Sequence, residues 1–248
     1  EVPIPGGSLV HEDSVTPTAP EEIARQITTF REAFAQKGLP FNQVIGFVAQ
    51  PGVEFGDDFV NAYDPQQAAG LMAQMHACPG LVLEGHSTDY QTRESLCSLV
   101  RDGVVILKVG PALTFALREA LMLAQQAACR MGVNTDFTAA LEKAMLADDR
   151  YWRSYYHGTG RDVAYKRLFS FSDRCRYYLP DPGVEQAVQT LLMQCGDLPP
   201  ALLSLYFPRQ YTKYRNGRLD NNVRAVVFDR IGDVLDDYAA ACFPTLYE

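Results

Sequence analysis

Short apolar runs alternate with polar loops and helical patterns through the first half of the chain. The runs cover residues 44–49 (VIGFVA), 81–84 (LVLE) and 104–109 (VVILKV). Such runs suit strands that are buried on both faces, as in parallel sheets. Each run leads into a polar or glycine-containing loop and then into a helical pattern, over about 65–76, 93–101 and 112–131. This order predicts parallel βαβ units and an α/β fold.

Two further patterns precede the first complete run. Residues 1–7 (EVPIPGG) are rich in proline and glycine and indicate a strand end that enters a loop. The segment TAPEE at Thr18 predicts a helix start, because threonine can cap, proline fits the first turn and glutamates favour the positive helix end. We expect this helix to run to about Lys37 and to end at Gly38.

The strand pattern stops after about residue 133. Helices are predicted over 142–146, 151–156, 184–194, 200–206 and 223–241. The predicted organisation is therefore a (β/α) portion over 1–132 and a helical extension over 133–248, packed on it. Only about four strands are accounted for, whereas a closed (β/α)8 barrel needs eight. The pattern predicts either an open sheet or a chain that lacks the first half of a barrel.

Composition narrows the class of protein. The chain is 47% hydrophobic and 21% charged, with a formal net charge of −8 spread along its length. A nucleic-acid binder needs a basic stripe, and an anionic membrane attracts basic surfaces, so neither partner is expected. No apolar window reaches about 18 residues and no signal peptide is visible, which predicts a cytoplasmic protein. The six cysteines form no CxxC pair and no zinc-finger spacing, and most are expected to be buried, reduced thiols.

The loop after the second run is the richest in reactive groups, with a carboxylate, an imidazole, two hydroxyls, a second carboxylate and a phenol: Glu84, His86, Ser87, Thr88, Asp89 and Tyr90. Gly85 permits close backbone approach, and the hydroxyls can donate to phosphate oxygens, so a sugar-phosphate site is one interpretation. The other is local: these residues satisfy a tight turn, and Asp89 or Thr92 caps the next helix.

His86 is a candidate metal ligand or proton carrier. One histidine with one or two carboxylates makes a sparse metal site, and the other histidines lie in unrelated contexts. A hydrogen-bonded histidine at the end of a strand is therefore the favoured interpretation, and a zinc site built from this chain alone is the weaker one.

Lys108 ends an apolar run, where a lysine is costly unless it is paired or functional. It is expected to pair with Glu84 or Glu54, to contact a phosphate or carbonyl, or to form a Schiff base. Gly110 then leads into a helix whose first-turn amides suit an anion. Thr114 lies in the same loop and is a further phosphate-binding candidate. Glu1, Gln50 and Glu54 are expected to line the same pocket.

Other features carry less chemistry. Arg118 and Glu119 are expected to form surface or interhelix ion pairs. Residues 151–156 (YWRSYY) and 172–178 (SDRCRYY) interleave aromatic residues with arginines. In an acidic protein this composition favours core packing or a subunit interface over nucleic acid. No GxGxxG, P-loop, GxSxG or HExxH motif is present, so a kinase phosphate loop is unsupported.

Several long motifs resemble those of the non-catalytic subunits of class II D-tagatose-1,6-bisphosphate aldolase: EVPIPGG at Glu1, VAQPGVEF at Val48, EGHSTDYQT at Glu84 and ILKVGPALTFALREAL at Ile106. SDRCRYYLP at Ser172 is similar to a later stretch of that family, with Leu179 in place of the usual tryptophan. The resemblance runs from the first residue almost to the last.

The resemblance implies a TIM (β/α)8-type barrel with a helical C-terminal extension, of which this chain is roughly the last three-fifths. The early strands, including a Gly-Gly-Asp-His-Leu-Gly loop, are expected to be missing. The implied role is to support a separate catalytic subunit, a zinc enzyme that splits D-tagatose 1,6-bisphosphate into glycerone phosphate and glyceraldehyde 3-phosphate. The implied pathways are galactitol and N-acetylgalactosamine catabolism.

The resemblance leaves three hypotheses. The first is an accessory subunit with a vestigial or regulatory sugar-phosphate pocket and no cofactor of its own. Such a subunit could also form a homo-oligomer. The second is a metal-dependent aldolase-like lyase in which Glu84, His86, Asp89 and Lys108 complete the site. The third is a tagatose-6-phosphate kinase, a label that members of the family have also carried.

Overall fold

The computed structural model describes residues 15–246. The helices are α1 Pro20–Gln36, α2 Pro65–His76, α3 Arg93–Asp102, α4 Pro111–Arg130, α5 Phe137–Ala147, α6 Gly160–Phe169, α7 Pro182–Cys195, α8 Pro200–Tyr206, α9 Pro208–Arg215 and α10 Val223–Cys242. The strands are β1 Gly46–Ala49, β2 Glu54–Phe55, β3 Val60–Asn61, β4 Val82–Gly85 and β5 Val104–Leu107. Short 3-10 helices cover Phe41–Gln43, Arg174–Tyr178 and Pro244–Leu246.

The central sheet is parallel, with the strand order β1-β4-β5. Phe47 lies beside Leu83, and Leu83 lies beside Val104. Helices α2 and α3 connect these strands, so the predicted βαβ order and the mixed α/β class are confirmed. The sequence pattern missed the antiparallel pair β2–β3, because two residues per strand are too few for a period to be visible.

Proline and capping residues fix where the helices of this region begin. Asp64 accepts a hydrogen bond from the amide of Gln66, and Thr92 accepts one from Ser95, as the sequence predicted for Thr92. The predicted cap at Thr18 is wrong, since Ala19 holds that position without a side-chain bond. Thr18 instead accepts from the amide of Gln50 at 2.9 Å, which ties the start of α1 to the end of β1.

The sheet buries one face better than the other. Phe47, Ala49 and Leu83 are buried with residues of the helices that cover them. The expectation that every strand is buried on both faces is wrong for β5, where Val105 and Ile106 are exposed. A register irregularity between Leu83 and Glu84 displaces Val105 from the regular pairing with β4.

The chain after β5 is helical and has its own core. Small residues of α4 are fully buried, including Ala120, Ala124 and Ala127, which lets neighbouring helices approach closely. The predicted helix over 151–156 is wrong, because residues 151–155 form turns. The pattern missed α6, which has almost no apolar periodicity and begins instead at a capping box made by Thr159 and Asp162.

Contacts divide the described residues into two compact units. The sheet unit contains the residues up to Gly110 together with those from Asp236 on, and the helical unit is Pro111–Leu235. The predicted division into a barrel portion over 1–132 and an extension over 133–248 stays a prediction. Among the described residues, no helix combines the length and apolar character needed to cross a membrane.

All six cysteines are free thiols. The expectation that most of them are buried is only partly correct. Cys175 and Cys195 are buried, Cys78 and Cys97 are half-buried, and two others, Cys129 and Cys242, are exposed.

Candidate functional site

A carboxylate and an imidazole meet at the carboxyl end of β4. Glu84 and His86 are two residues apart on an extended chain, so their side chains point to the same face. Glu84 Oε1 lies 2.6 Å from His86 Nε2. The imidazole is buried and the carboxylate is partly exposed. In α/β proteins the carboxyl ends of parallel strands are where sites are built.

The pairing determines which ring nitrogen of His86 is available. An ionised carboxylate only accepts hydrogen bonds, so Nε2 carries the hydrogen in this contact. Nδ1 makes no hydrogen bond with any described residue. A carboxylate that orients an imidazole and leaves the second nitrogen open is the arrangement of a general base with its orienting group. The pair can therefore accept a proton at Nδ1.

Glu54 is a second acidic group near the same strand ends. It is buried, and no basic side chain pairs with it among the described residues. Burial raises the pKa of its carboxyl, and the negative charge of Asp89 acts in the same direction. Hydrogen bonds from the Phe55 amide, at 3.0 Å, and from the Ser87 hydroxyl oppose that rise in part. A buried carboxyl with a raised pKa is typical of functional sites.

The remaining polar groups of this loop are bonded to one another. Thr88 Oγ1 donates to the Lys108 carbonyl at 2.7 Å, and Asp89 Oδ1 accepts from the Gly110 amide at 2.9 Å. The hydroxyl of Tyr238 donates to the Thr88 carbonyl at 2.7 Å. The groups predicted to hold a phosphate thus join the β4–α3 loop to the end of β5, and their phosphate role stays a prediction.

Two other predicted pocket residues have local structural contacts. Gln50 Oε1 accepts from the amides of Gly52 and Val53, so it shapes its own loop. At Gly85 a Cβ would lie 3.0 Å from Val104 Cγ1, so the close approach predicted for this glycine is to β5. Glu1 lies outside the described residues.

Lys108 is not the buried, paired lysine that its place in an apolar run predicted. It follows the end of β5, its side chain is exposed, and it forms no ion pair with a described residue. The predicted pair with Glu84 or Glu54 is wrong, because Glu84 is bound to His86 and Glu54 to an amide and a hydroxyl. An exposed ammonium does not incur the cost of burial that motivated the pairing.

Thr114 lies in the helical unit and contacts a different set of residues. Its hydroxyl donates to Asp173 Oδ2 at 2.6 Å, and Arg118 Nε donates to Asp173 Oδ1 at 2.8 Å. Arg118 was expected to form a surface or interhelix ion pair, and the surface alternative is wrong because the residue is almost wholly buried. Glu119 does form the predicted interhelix pair, with Arg230 at 2.5 Å.

The described residues do not fit a metal ion by themselves. Nowhere in residues 15–246 do three His, Cys, Asp or Glu side chains lie close enough together to hold one. We therefore derive no step through a metal at His86.

Sequence reasoning missed two residues that support these groups. Tyr238 lies 150 positions after Thr88, and Asp173 lies 59 positions after Thr114. No local pattern connects residues so far apart, although the aromatic segment that contains Asp173 was itself conspicuous.

The fold and the strand-end groups define an α/β protein with a parallel βαβ sheet and an acid–imidazole pair at its carboxyl edge. The family model described as "D-tagatose-1,6-bisphosphate aldolase subunit GatZ/KbaZ-like" matches residues 1–243. The chain belongs to this family.

A solved structure agrees in fold. The chain is similar to a probable tagatose 6 phosphate kinase from Sinorhizobium meliloti 1021, with 40% identity and a TM-score of 0.88. The match covers 91% of this chain and 60% of that one, so the chain spans about three-fifths of that structure's length.

Proposed function

We propose that this chain is part of an accessory, non-catalytic subunit of an aldolase that cleaves D-tagatose 1,6-bisphosphate. The match to the aldolase-subunit family over residues 1–243 is the observation that carries the proposal. In this proposal zinc belongs to a separate catalytic subunit, and the complex acts in the cytoplasm, in galactitol or N-acetylgalactosamine catabolism. The chain raises or prolongs the activity of its partner.

We propose also that the parallel sheet is part of a (β/α)8 barrel with a helical extension. Two features support this. The order β1-β4-β5 with connecting helices is the repeating unit of such barrels. In addition, the matched structure is longer than this chain. The Glu84–His86 pair would then lie at the mouth of the barrel, where a sugar-phosphate pocket belongs.

The Glu84–His86 pair favours one alternative, an aldolase-like lyase activity of the protein itself. Aldol cleavage removes a proton from a hydroxyl as the carbon–carbon bond breaks, and His86 Nδ1 is free to accept it. Lys108 would attract the phosphate of the substrate. Any metal would need ligands beyond the described residues.

A kinase activity is the third candidate, because the matched Sinorhizobium meliloti protein is described as a probable tagatose 6 phosphate kinase. No phosphate-binding loop motif supports it in this sequence.

A coupled aldol-cleavage assay with D-tagatose 1,6-bisphosphate separates these functions. It compares the full-length protein that carries this chain, the catalytic subunit alone, and their mixture. We expect no cleavage by the protein alone and a higher or longer-lived rate in the mixture. His86→Gln should leave that gain intact, with Gln66→Ala on an exposed position of α2 as the matched control.

Two other results would reject the accessory role. Metal-dependent cleavage by the protein alone, lost in His86→Gln but not in Gln66→Ala, would assign the lyase function. ATP-dependent phosphorylation of tagatose 6-phosphate would assign the kinase function.

A further inference from the structure

Arg174 in the helical unit is buried without an acidic partner. Its side chain is 5% exposed, yet it forms no ion pair with any described residue. Its Nε donates to the Tyr151 carbonyl, while its buried Nη1 has no hydrogen-bond partner. A buried cation without a counter-charge is costly, so an unpaired one indicates a missing acceptor.

The surroundings of Arg174 are tyrosines rather than carboxylates. Its guanidinium lies 3.2 Å from the centre of the Tyr155 ring and 5.3 Å from that of Tyr177. Tyr177 stacks on Tyr151 with ring centres 5.0 Å apart. We call the whole set the arginine–tyrosine surface: Arg150, Tyr151, Tyr155, Arg174, Arg176 and Tyr177.

Part of this surface is open to solvent. Tyr177 is 40% exposed and carries Arg176 over its ring at 4.4 Å. Helix α6, in the same unit, also presents an exposed stacked pair, Tyr165 at 58% and Phe169 at 46%. Exposed tyrosine and arginine side chains around a desolvated centre are typical of the energetic core of protein interfaces.

Two arginines of this surface carry a charge that no carboxylate of the described residues balances. Arg150 pairs with Asp148, whereas Arg174 and Arg176 form no ion pair within residues 15–246. These two cations suit a carboxylate on the surface of a partner. The family model describes an aldolase subunit, so another subunit of that enzyme is the occupant that fits.

We propose that the arginine–tyrosine surface is where the catalytic aldolase subunit docks, and that an Asp or Glu of that subunit pairs with Arg174. This inference rests on the proposed accessory function. The partner carboxylate would approach Arg174 at the small part of the residue that remains exposed, and would complete an ion pair whose cation is already desolvated and held between tyrosine rings. A bidentate arginine–carboxylate pair is among the stronger contacts available at an interface.

The test measures binding separately from activation. Arg174→Met and Tyr177→Ala are compared with wild type for affinity to the immobilised catalytic subunit, at low and high salt. The matched control is Arg215→Met, because Arg215 also lies over a tyrosine of the helical unit, 5.8 Å from the Tyr211 ring, but outside this surface. Thermal unfolding of each variant reports on folding.

We expect each surface variant to bind roughly tenfold or more weakly, with Arg215→Met unchanged. Wild-type affinity should fall as salt rises. Arg174→Met should fold and should melt only a few degrees below the wild type, because no ion pair within the chain is broken. If Arg174→Met fails to fold, Tyr177→Ala alone carries the test, since its side chain is partly exposed.

Wild-type affinity in both surface variants would overturn the inference, as would an equal loss in Arg215→Met. Self-association through this surface, without binding of the catalytic subunit, would overturn it as well. If activation persists in the surface variants, the docking surface is wrong and the accessory role stands. If binding follows the expected pattern but no activation occurs, the accessory role is wrong and the docking surface stands.

Discussion

Two buried arginines in the helical unit, Arg118 and Arg174, differ in one respect. Arg118 is 1% exposed and is paired with the buried carboxylate of Asp173, which also accepts from Thr114. Arg174 follows that same aspartate in the chain and has no carboxylate. The first arginine has an ion pair within the chain and supports the fold. The second has no counter-charge among the described residues, which is the property expected of a contact residue.

The sheet unit contains the anionic counterpart of this difference. Glu84 accepts a hydrogen bond from His86 at 2.6 Å, whereas Glu54 is buried with no basic partner among the described residues. In each unit, therefore, one charged group has a histidine or acidic partner and another has no partner of opposite charge. Burial alone therefore does not show that a charged residue has a structural role. Whether it has a partner within the chain distinguishes a structural residue from one that is available for binding.

The largest effect is expected from Arg118→Met. It leaves the Asp173 carboxylate buried with only neutral donors, and we expect a loss of about 3–5 kcal/mol in the free energy of unfolding. Arg174→Met breaks no ion pair, but it loses the contacts with the Tyr151 carbonyl and with the Tyr155 ring, so its loss should stay within about 2 kcal/mol. Urea unfolding of the two variants measures the contrast. Equal losses would remove the distinction between the two arginines.

A smaller effect is expected from Thr88→Val in the sheet unit. The hydroxyl donates to the Lys108 carbonyl and lies 3.2 Å from the Tyr238 hydroxyl. Its removal leaves the Lys108 carbonyl without this donor, at a cost of about 1–3 kcal/mol, while Tyr238 keeps its bond to the Thr88 carbonyl. Hydrogen exchange of residues 84–91 should accelerate. Unchanged exchange there would mean that Thr88 does not hold the loop, and Thr28→Val, on the exposed side of α1, serves as the control.

The pH dependence of the stability of Glu54→Gln tests how much the buried, unpaired Glu54 carboxyl contributes to the free energy of unfolding. Burial raises the pKa of Glu54 above its ordinary value of 4.5. The folded state therefore binds the proton more tightly than the unfolded state does, and this contribution to stability is fully present below pH 4.5. It is lost as pH rises through the folded-state pKa.

Glutamine carries no charge, so Glu54→Gln should be more stable than wild type at neutral pH, and its advantage should shrink as the pH falls. Chemical unfolding across a pH series measures this. An advantage that does not vary with pH would show that desolvation of the charge is not the cause.

The smallest effect is expected from Arg153→Ala. Arg153 pairs with Asp149 one turn away, and both side chains are well exposed. Solvent and salt screen such a pair, so the change should stay within about 0.5 kcal/mol. A loss comparable to that of Arg118→Met would show that exposure does not govern the value of these ion pairs.

Sequence patterns located most elements because their signals are local. Helices α2 and α8 begin and end where predicted, since Pro65 and Pro200 mark their first turns. The pattern failed at 151–156, where interleaved aromatic residues and arginines resemble a helix but form turns. Here tertiary contacts override helix propensity, because Tyr156 and Tyr178 are buried and Arg174 is stacked between rings. The predicted core packing of these segments is confirmed for the two buried tyrosines.

The candidate site divides in the same way. The strand period alone places Glu84 and His86 on one face, so their meeting could be predicted from the sequence. Three other features could not be predicted from the sequence: the bond between Tyr238 and Thr88, the bond between Thr114 and Asp173, and the exposure of Lys108. The two bonds join residues that are far apart in the chain. The exposure depends on which surfaces the folded chain covers.

The sequence by itself determined the parallel βαβ order, the helical second half and the family, because these depend on periodicity and on uninterrupted motifs. Only the tertiary structure decided which charges are compensated. A charge is satisfied by whichever group lies within hydrogen-bond distance of it, and that neighbour is set by the folded chain. Asp173 thus serves Arg118 and not the adjacent Arg174.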